Sequence, residues 1–324
     1  MTSATQVQRR RGTAAQVAAF TGAQGEIVID TTNNRVVVQD GVTPGGWPAA
    51  KLSEVVLVGG VVGGVVNKFR NGTMDVWQRG TSGTVTTSGG YTADGWIVLP
   101  SGASVTWNQA AGPLTKNALQ VIGATGVTDI QIKQRIESLI AAAFNSQTVT
   151  VQAQVYNGTG GPITPTLTVK HAGSQDNWSS PTTDVSAVSL QSCPASAWTQ
   201  VAYTFTASAN SYNGLEITFD FGNNFGSNTK VVQLTECDIR VTPSLSTGLC
   251  STPPLPELRP VGMELAFCQR YYAQSYGSGA APGTSGIAGV IASNLPSSIP
   301  NAYVYDTVVF PVMMRATPTI NLYS

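Results

Sequence analysis

Charge is what this sequence holds least of. Lys and Arg supply seventeen of 324 residues and Asp and Glu another seventeen, so 10% of the chain is charged and the formal net charge is zero. Average soluble domains carry roughly 25% charged residues. A duplex-binding protein needs a basic face to displace counterions. This balance leaves no large one, so nucleic acid is not an expected partner. The one basic cluster, Arg9, Arg10 and Arg11, reads as a solvated or interfacial anchor. Histidine is nearly absent: His171 stands alone, at the end of a strand-like run over 166–170, where a surface position is expected. The four cysteines, Cys193, Cys237, Cys250 and Cys268, lie at long irregular spacings with no C-x-x-C. With one histidine they exclude the usual zinc patterns, and neither metal nor cofactor is expected. They read as isolated buried thiols, with Cys237 and Cys250 the one pair able to close a short loop.

Long apolar runs are missing too. The longest covers 55–66 and is broken by four glycines; it is too short to cross a bilayer, and no apolar segment near the N-terminus reads as a cleaved signal. Membrane insertion is not expected. Catalytic signatures are likewise absent: there is no G-x-S-x-G, H-E-x-x-H or Walker loop. Glycoside hydrolysis needs only two suitably separated carboxylates, and Asp75, Asp94, Glu137, Asp176, Asp184, Glu216 and Asp220 qualify only as acids. A depolymerising β-helix would show short repeating rungs, and none appear. The expectation is a protein without catalytic residues.

What remains is turn chemistry and alternation. Glycine alone counts 34, and short apolar runs alternate with Gly, Asn, Ser and Thr, as in a mainly β chain. Residues 26–30 and 35–39 read as a hairpin about a Thr-Thr-Asn-Asn turn, after a short helix over 13–20. Fifty such residues bury too little to stand alone. The Val/Gly run 55–66 favours extended chain and suits a neck packed on a threefold axis. Between 67 and 243 the alternation is strict. Val149, Val151, Ala153 and Val155 share one face, as do Val201, Tyr203 and Phe205, and 215–221 alternates without fault. Eight to ten such strands predict a sandwich or jelly roll. A stiff Pro-rich run at 253–260 leads into a helix over 261–275, and strands are expected at 304–312 and 319–323. The last of these ends at the chain's end, so a β-domain is expected to be completed by further sequence or by a neighbouring chain.

Two resemblances follow from specific motifs. Arg10-Arg-Gly-Thr13, Phe20-Thr-Gly22, Gly25-Glu26, Asp30 and the run from Val37 to Asp40-Gly-Val-Thr-Pro-Gly-Gly46 resemble the N-terminal domain shared by the phage major tropism determinant and many tail-fibre proteins. That resemblance implies a small intertwined trimeric β-prism at the virion-attached end. Asn71-Gly72, Trp77-Gln-Arg-Gly80, Tyr91-Thr-Ala-Asp94 with Trp96, Gln134-Arg-Ile-Glu137, Trp198-Thr-Gln200 and Glu264-Leu-Ala-Phe-Cys-Gln-Arg-Tyr-Tyr272 occur in that order in phage tail-fibre and tail-spike proteins. Their jelly roll is similar to carbohydrate-binding modules.

The resulting layout is a prism-like domain at 1–54, a neck at 55–66, a jelly-roll β-sandwich at 67–243 and a small C-terminal α+β region at 244–324. The resemblance implies a homotrimer in the virion, made in the host cytoplasm and joined through its N-terminal domain to baseplate, tail tip or capsid. It implies multivalent, non-enzymatic attachment to host-surface glycan. A purely structural fibre and a depolymerase are the alternatives. Sugar recognition calls for an aromatic face beside amides and carboxylates. Trp77, Trp96 and Trp198 fall within strand signals and read as core, and Trp107 is ambiguous. Trp178, with Asn177 and Asp176, sits in a polar loop, and Tyr212 sits in another. Loops at sandwich ends carry function disproportionately, so these four are the candidate ligand residues.

Overall fold

The computed structural model describes residues 9–49, 65–285 and 309–323. The expected neck, except Val65 and Val66, and the first part of the expected 304–312 strand lie outside them. The chain divides into two compact units, Met1–Gly64 and Val65–Ser324.

In the first unit β1 (Arg11–Gly12) runs parallel to β2 (Ile27–Asp30), and β3 (Arg35–Val38) and β4 (Trp47–Pro48) follow antiparallel. Helix α1 (Ala14–Ala18) is shorter than its sequence pattern suggests. Thr13 and Gln16 close a reciprocal capping box at its start, which satisfies two amides that the helix leaves unpaired. The hairpin turn is built by Asp30, whose carboxylate accepts from the Thr32 and Asn33 amides and the Asn33 side chain. Asn34 takes the left-handed conformation that closes the turn. A second carboxylate organises the next loop. Asp40 accepts from the Val42 and Thr43 amides, the Thr43 hydroxyl and the Trp47 indole. These bonds, the Thr43 hydroxyl first, hold its carboxyl well below the usual range. The interior of this unit is three valines, Val17, Val28 and Val37, with Phe20 against them.

The second unit contains β5 (Ser82–Val85), β6 (Gly90–Tyr91), β7 (Ile97–Ser101), β8 (Val105–Ala110), β9 (Ala118–Ile122), β10 (Asp129–Ile136), helix α2 (Ser138–Ala141), β11 (Thr148–Gly158), β12 (Thr166–His171), β13 (Thr182–Ser189), β14 (Ala197–Thr206), β15 (Leu215–Asp220), β16 (Val231–Val241), β17 (Gly248–Leu249) and helix α3 (Val261–Gln269). They form two antiparallel sheets. A six-stranded one runs in the order β13-β12-β15-β10-β7-β6, and a seven-stranded one in the order β17-β14-β11-β16-β9-β8-β5. This is a jelly-roll-like sandwich, and the protein is mainly β. The inward residues of both sheets merge into one core, including the alternating Val149, Val151, Ala153 and Val155 of β11 and Leu215, Ile217 and Phe219 of β15. Trp77 stacks on Trp107, with ring centroids 5.8 Å apart, and Trp96 packs against Phe69 at 5.1 Å. Burying each such side chain contributes about 3 kcal/mol by transfer.

The motif residues tie the beginning of this unit to its end. The Asn71 amide donates to Glu264 Oε2 at 2.7 Å, while its side chain binds Val76 N, Val76 O and Asp94 O. The Trp96 indole donates to Asn71 O at 3.0 Å. Gln134 clamps the Arg70 backbone through both amide atoms. Gly72 is required because a Cβ there would collide with the carbonyl oxygen of Cys237. Arg259 and Glu264 form a buried ion pair at 2.7 Å; it is part of a hydrogen-bonded network, as burial demands.

Several expectations need correction. The 261–275 helix ends at Gln269. Residues 319–323 are not a strand, with no backbone ladder to them among the described residues; residues 309–312 are not a strand either. The four cysteines are free, buried thiols, as their spacing suggests, and Cys237 and Cys250 do not pair. His171 is not a surface residue. It is 6% exposed and its Nδ1 lies 2.7 Å from Asp184 Oδ1 across β12 and β13. Among the described residues no helix is long and apolar enough to cross a membrane.

Candidate functional site

The two sheets present chemically different outer faces. On the six-stranded sheet the outward positions of β10 and β15 are charged. Lys133 and Arg135 both pair with Glu216, at 3.4 and 2.6 Å. Asp129 and Asp220 both accept from the Gln131 amide at 3.1 Å. Burial, and then the charge of Asp220, push Asp129 up to about 6.

The seven-stranded sheet carries amides and aromatics instead. Direct register places Trp198 of β14 beside Tyr156 of β11, Tyr156 beside Gln233 of β16, Gln233 beside Gln120 of β9, and Gln120 beside Asn108 of β8. Side chains directly opposite one another on adjacent strands share a face, so these five form a row across the sheet. Each is partly exposed. The Tyr156 and Trp198 rings lie 5.6 Å apart at 52°. Gln233 donates to Gln120 across the row, and one step along Gln200 donates to Gln152. Gln154 and Gln200 face each other at that next step.

Two segments lie along one side of this row. Glu236 Oε1 accepts from the Leu114 and Thr115 amides, drawing their loop over β16. Further along the same strands, the Pro-rich run accepts from Gln152 at Pro254 O and from Arg240 at Leu255 O. The row is therefore walled on that side by both segments. Neighbouring aromatic rings and hydrogen-bonding amides at one level suit a flat, hydroxylated ligand. Trp198 is accordingly not a core residue, contrary to the sequence expectation; it is half-buried on the outer face.

The four residues expected from sequence lie together elsewhere. The Asp176 amide donates to Asn213 O at 2.8 Å, so their loop sits beside the 3₁₀ turn Ser211–Asn213 that carries Tyr212. Asp176 accepts from the amide and hydroxyl of Ser138 at the start of α2 and pairs with Arg315 at 3.6 Å. Asn177 Oδ1 accepts from the amide and hydroxyl of Ser179. Both side chains thus shape the loop. Trp178 is half-buried, with the Arg135 guanidinium 4.6 Å from its ring centroid, and Tyr212 is 49% exposed.

The carboxylates considered for glycoside chemistry are engaged in the fold. Asp94 binds Gln78 and Arg79, Glu137 pairs with Arg270, Asp184 with His171, Glu216 with Lys133 and Arg135, and Asp75 accepts from Thr73 and Asn117.

Comparison with known proteins gives the following. Residues 7–43 match the family model described as the major tropism determinant N-terminal domain. The tail fiber receptor-binding protein of Bordetella phage BPP-1 is 60% identical over 47 residues, which is 14% of this chain and 12% of that protein. The match therefore spans a small part of the relative's length. Among solved structures, the enzymatically active domain of tailspike protein 4 from bacteriophage CBA120 gives a TM-score of 0.38 at 11% identity, covering 54% of this chain and 21% of that one. The CBM22-1 xylan-binding domain from Paenibacillus barcinonensis gives 0.33 at 17% identity, covering 52% of this chain and 99% of that one.

Proposed function

We propose that this chain is a receptor-binding fibre or spike protein of a tailed phage, a component of the virion that attaches to host-surface glycan without catalysis. The observation that carries the reading is the Trp198–Tyr156–Gln233–Gln120–Asn108 row on the outer face of the seven-stranded sheet. The N-terminal likeness to a tail fiber receptor-binding protein supports the virion context and the proposal that the first unit joins the chain to baseplate, tail tip or capsid. The engagement of the acids in ion pairs and hydrogen bonds supports binding over hydrolysis. The loop pair Trp178 and Tyr212, with Asp176 and Asn177 holding the loop, is proposed as a second contact at the end of the sandwich. Homotrimerisation multiplies weak sites: three millimolar contacts on one fibre, linked at high effective concentration, give firm attachment.

The test is a glycan array probed with the full chain and with Trp198→Ala, Trp178→Ala and Tyr212→Ala. Loss of an aromatic platform is expected to weaken binding at least about tenfold in Trp198→Ala, with smaller losses in the loop variants and unfolding midpoints near wild type. Undiminished binding by Trp198→Ala would move the site off the sheet. Release of reducing ends from a bound polysaccharide would replace adhesion by hydrolysis.

A further inference from the structure

A cleft of about 720 Å³ lies within the second unit, between the sandwich, the chain after α3 and the segment 309–323. None of the residues already assigned to glycan contact lines it. Four arginines line it, Arg70, Arg79, Arg270 and Arg315; the last three each pair with a carboxylate, and Arg70 has no carboxylate partner among the described residues. Asp94 is buried behind Arg79, at 3.2 Å from Nη1. Glu137 and Asp176 hold Arg270 and Arg315 from outside the lining.

The lining is also aromatic. The Arg79 guanidinium lies against two rings, 3.6 Å from the Tyr272 centroid and 4.9 Å from that of Tyr91. Arg70 lies 3.8 Å over the Tyr271 ring, and Arg315 lies 6.0 Å from the same ring. Guanidinium groups held against aromatic faces are fixed in orientation. They are therefore prepared to receive a planar anion with little further ordering. Burial holds the Tyr271 hydroxyl up to about 12, so it stays protonated at neutral pH. Tyr91 is 52% exposed and Arg315 carries an exposed side chain, so the ring and the charge on the open side are reachable.

We propose that this cleft binds a carboxylate-bearing saccharide, with Arg79 and Arg315 taking the carboxylate and the tyrosine rings taking the sugar face. The assignment rests on the glycan-binding reading and names the class of glycan that one of its sites prefers. A neutral sugar leaves Arg70, the lining arginine without a carboxylate partner among the described residues, unmatched. A bare inorganic anion leaves the rings unused.

Titration calorimetry on the full chain tests it with tetragalacturonate, its methyl ester, and a sialylated disaccharide. The expected result is that at least one acid binds, that the ester binds at least about tenfold more weakly, and that Tyr91→Ala and Arg315→Gln each weaken the acid. Trp198→Ala should leave acid binding in place. The two acids separate a uronic from a sialic ligand. Equal binding of acid and ester, or acid binding insensitive to both cleft variants, overturns the proposal. So does displacement by equimolar inorganic phosphate, which would mark a simple anion site. Binding lost only in Trp198→Ala returns the acid to the sheet face. Failure of both acids to bind overturns the cleft while leaving the sheet-face reading to the glycan array. Both substituted residues are exposed, and an unchanged unfolding midpoint confirms that the variants fold.

Discussion

At the scale of the residue, Asp129 and Asp220 are two carboxylates on neighbouring strands that share one amide donor. Asp129 has its folded pKa raised to about 6 by burial and by Asp220. A raised folded pKa means that the folded state holds the proton more tightly. The associated stability is fully present below the unfolded value, about 4, and is lost as pH rises through about 6. Asp129→Asn removes the charge without removing the side chain's shape. It is expected to leave stability unchanged at pH 4 and to raise it at pH 7 by on the order of 1 kcal/mol after allowance for solvent screening. That is roughly 3 °C in unfolding midpoint for a unit of this size. Equal midpoints for wild type and variant at pH 7 would show that the pair carries no such strain. The same scale shows what the sequence revealed of the site. Trp178 and Tyr212 were visible as aromatics in polar loops, and the structure places their loops side by side. Trp198 and Tyr156 were visible too, in their parity. Val201, Tyr203 and Phe205 occupy the inward face of β14, so Trp198 must point outward; Val155 inward likewise sends Tyr156 outward. The place of Trp198 within a strand signal had suggested a core tryptophan. The row they form was hidden, because it depends on which strands are neighbours, and order in a sheet is not a local property.

At the scale of the element, alternation was a reliable guide where a partner strand exists and a poor one where none does. β11, β14 and β15 alternate strictly, and each is paired on both sides. Residues 319–323 alternate as well, yet they form no strand, with no ladder to them among the described residues. β16 breaks its alternation for a reason. β16 shifts register against β11 between Gln152 and Gln154, and Glu236 in that stretch adopts φ 52°. The left-handed conformation costs a non-glycine residue roughly 1 kcal/mol. It is held in place while the carboxylate binds the Leu114 and Thr115 amides. Glu236→Ala removes those bonds and keeps the strain, whereas Glu236→Gly removes both. The glycine variant is therefore expected to be the more stable of the two by about 1 kcal/mol in urea unfolding. That reverses the usual order for a strand interior, where glycine is the weaker residue. An alanine variant at least as stable as the glycine variant would mean that the bulge relaxes once the side chain is gone.

At the scale of the whole molecule, the first unit is out of proportion to its core. Three valines and one phenylalanine stand behind a four-stranded sheet, while the opposite face of that sheet is apolar and open. Val38 pairs with Ile27 on one side and Trp47 on the other, and Val36 pairs with Ile29. Val36, Val38 and Trp47 are exposed, Trp47 at 65%. A sheet with both faces apolar needs a second layer to bury the other face, and a domain this small rarely stands without one. The proposed homotrimer, with each copy covering its neighbour's open face, would supply that layer. Val38→Lys places a charge at the centre of the face and breaks such an interface at the cost of an unpaired buried ammonium. Light scattering on the full chain is expected to give three times the monomer mass for wild type and the monomer mass for Val38→Lys. The second unit, with its own continuous core, should keep its unfolding transition in both. Loss of trimer with retention of that transition would place assembly in the first unit and make multivalence a property that one surface charge removes. A trimer that survives Val38→Lys would instead place the contacts between copies outside this sheet face.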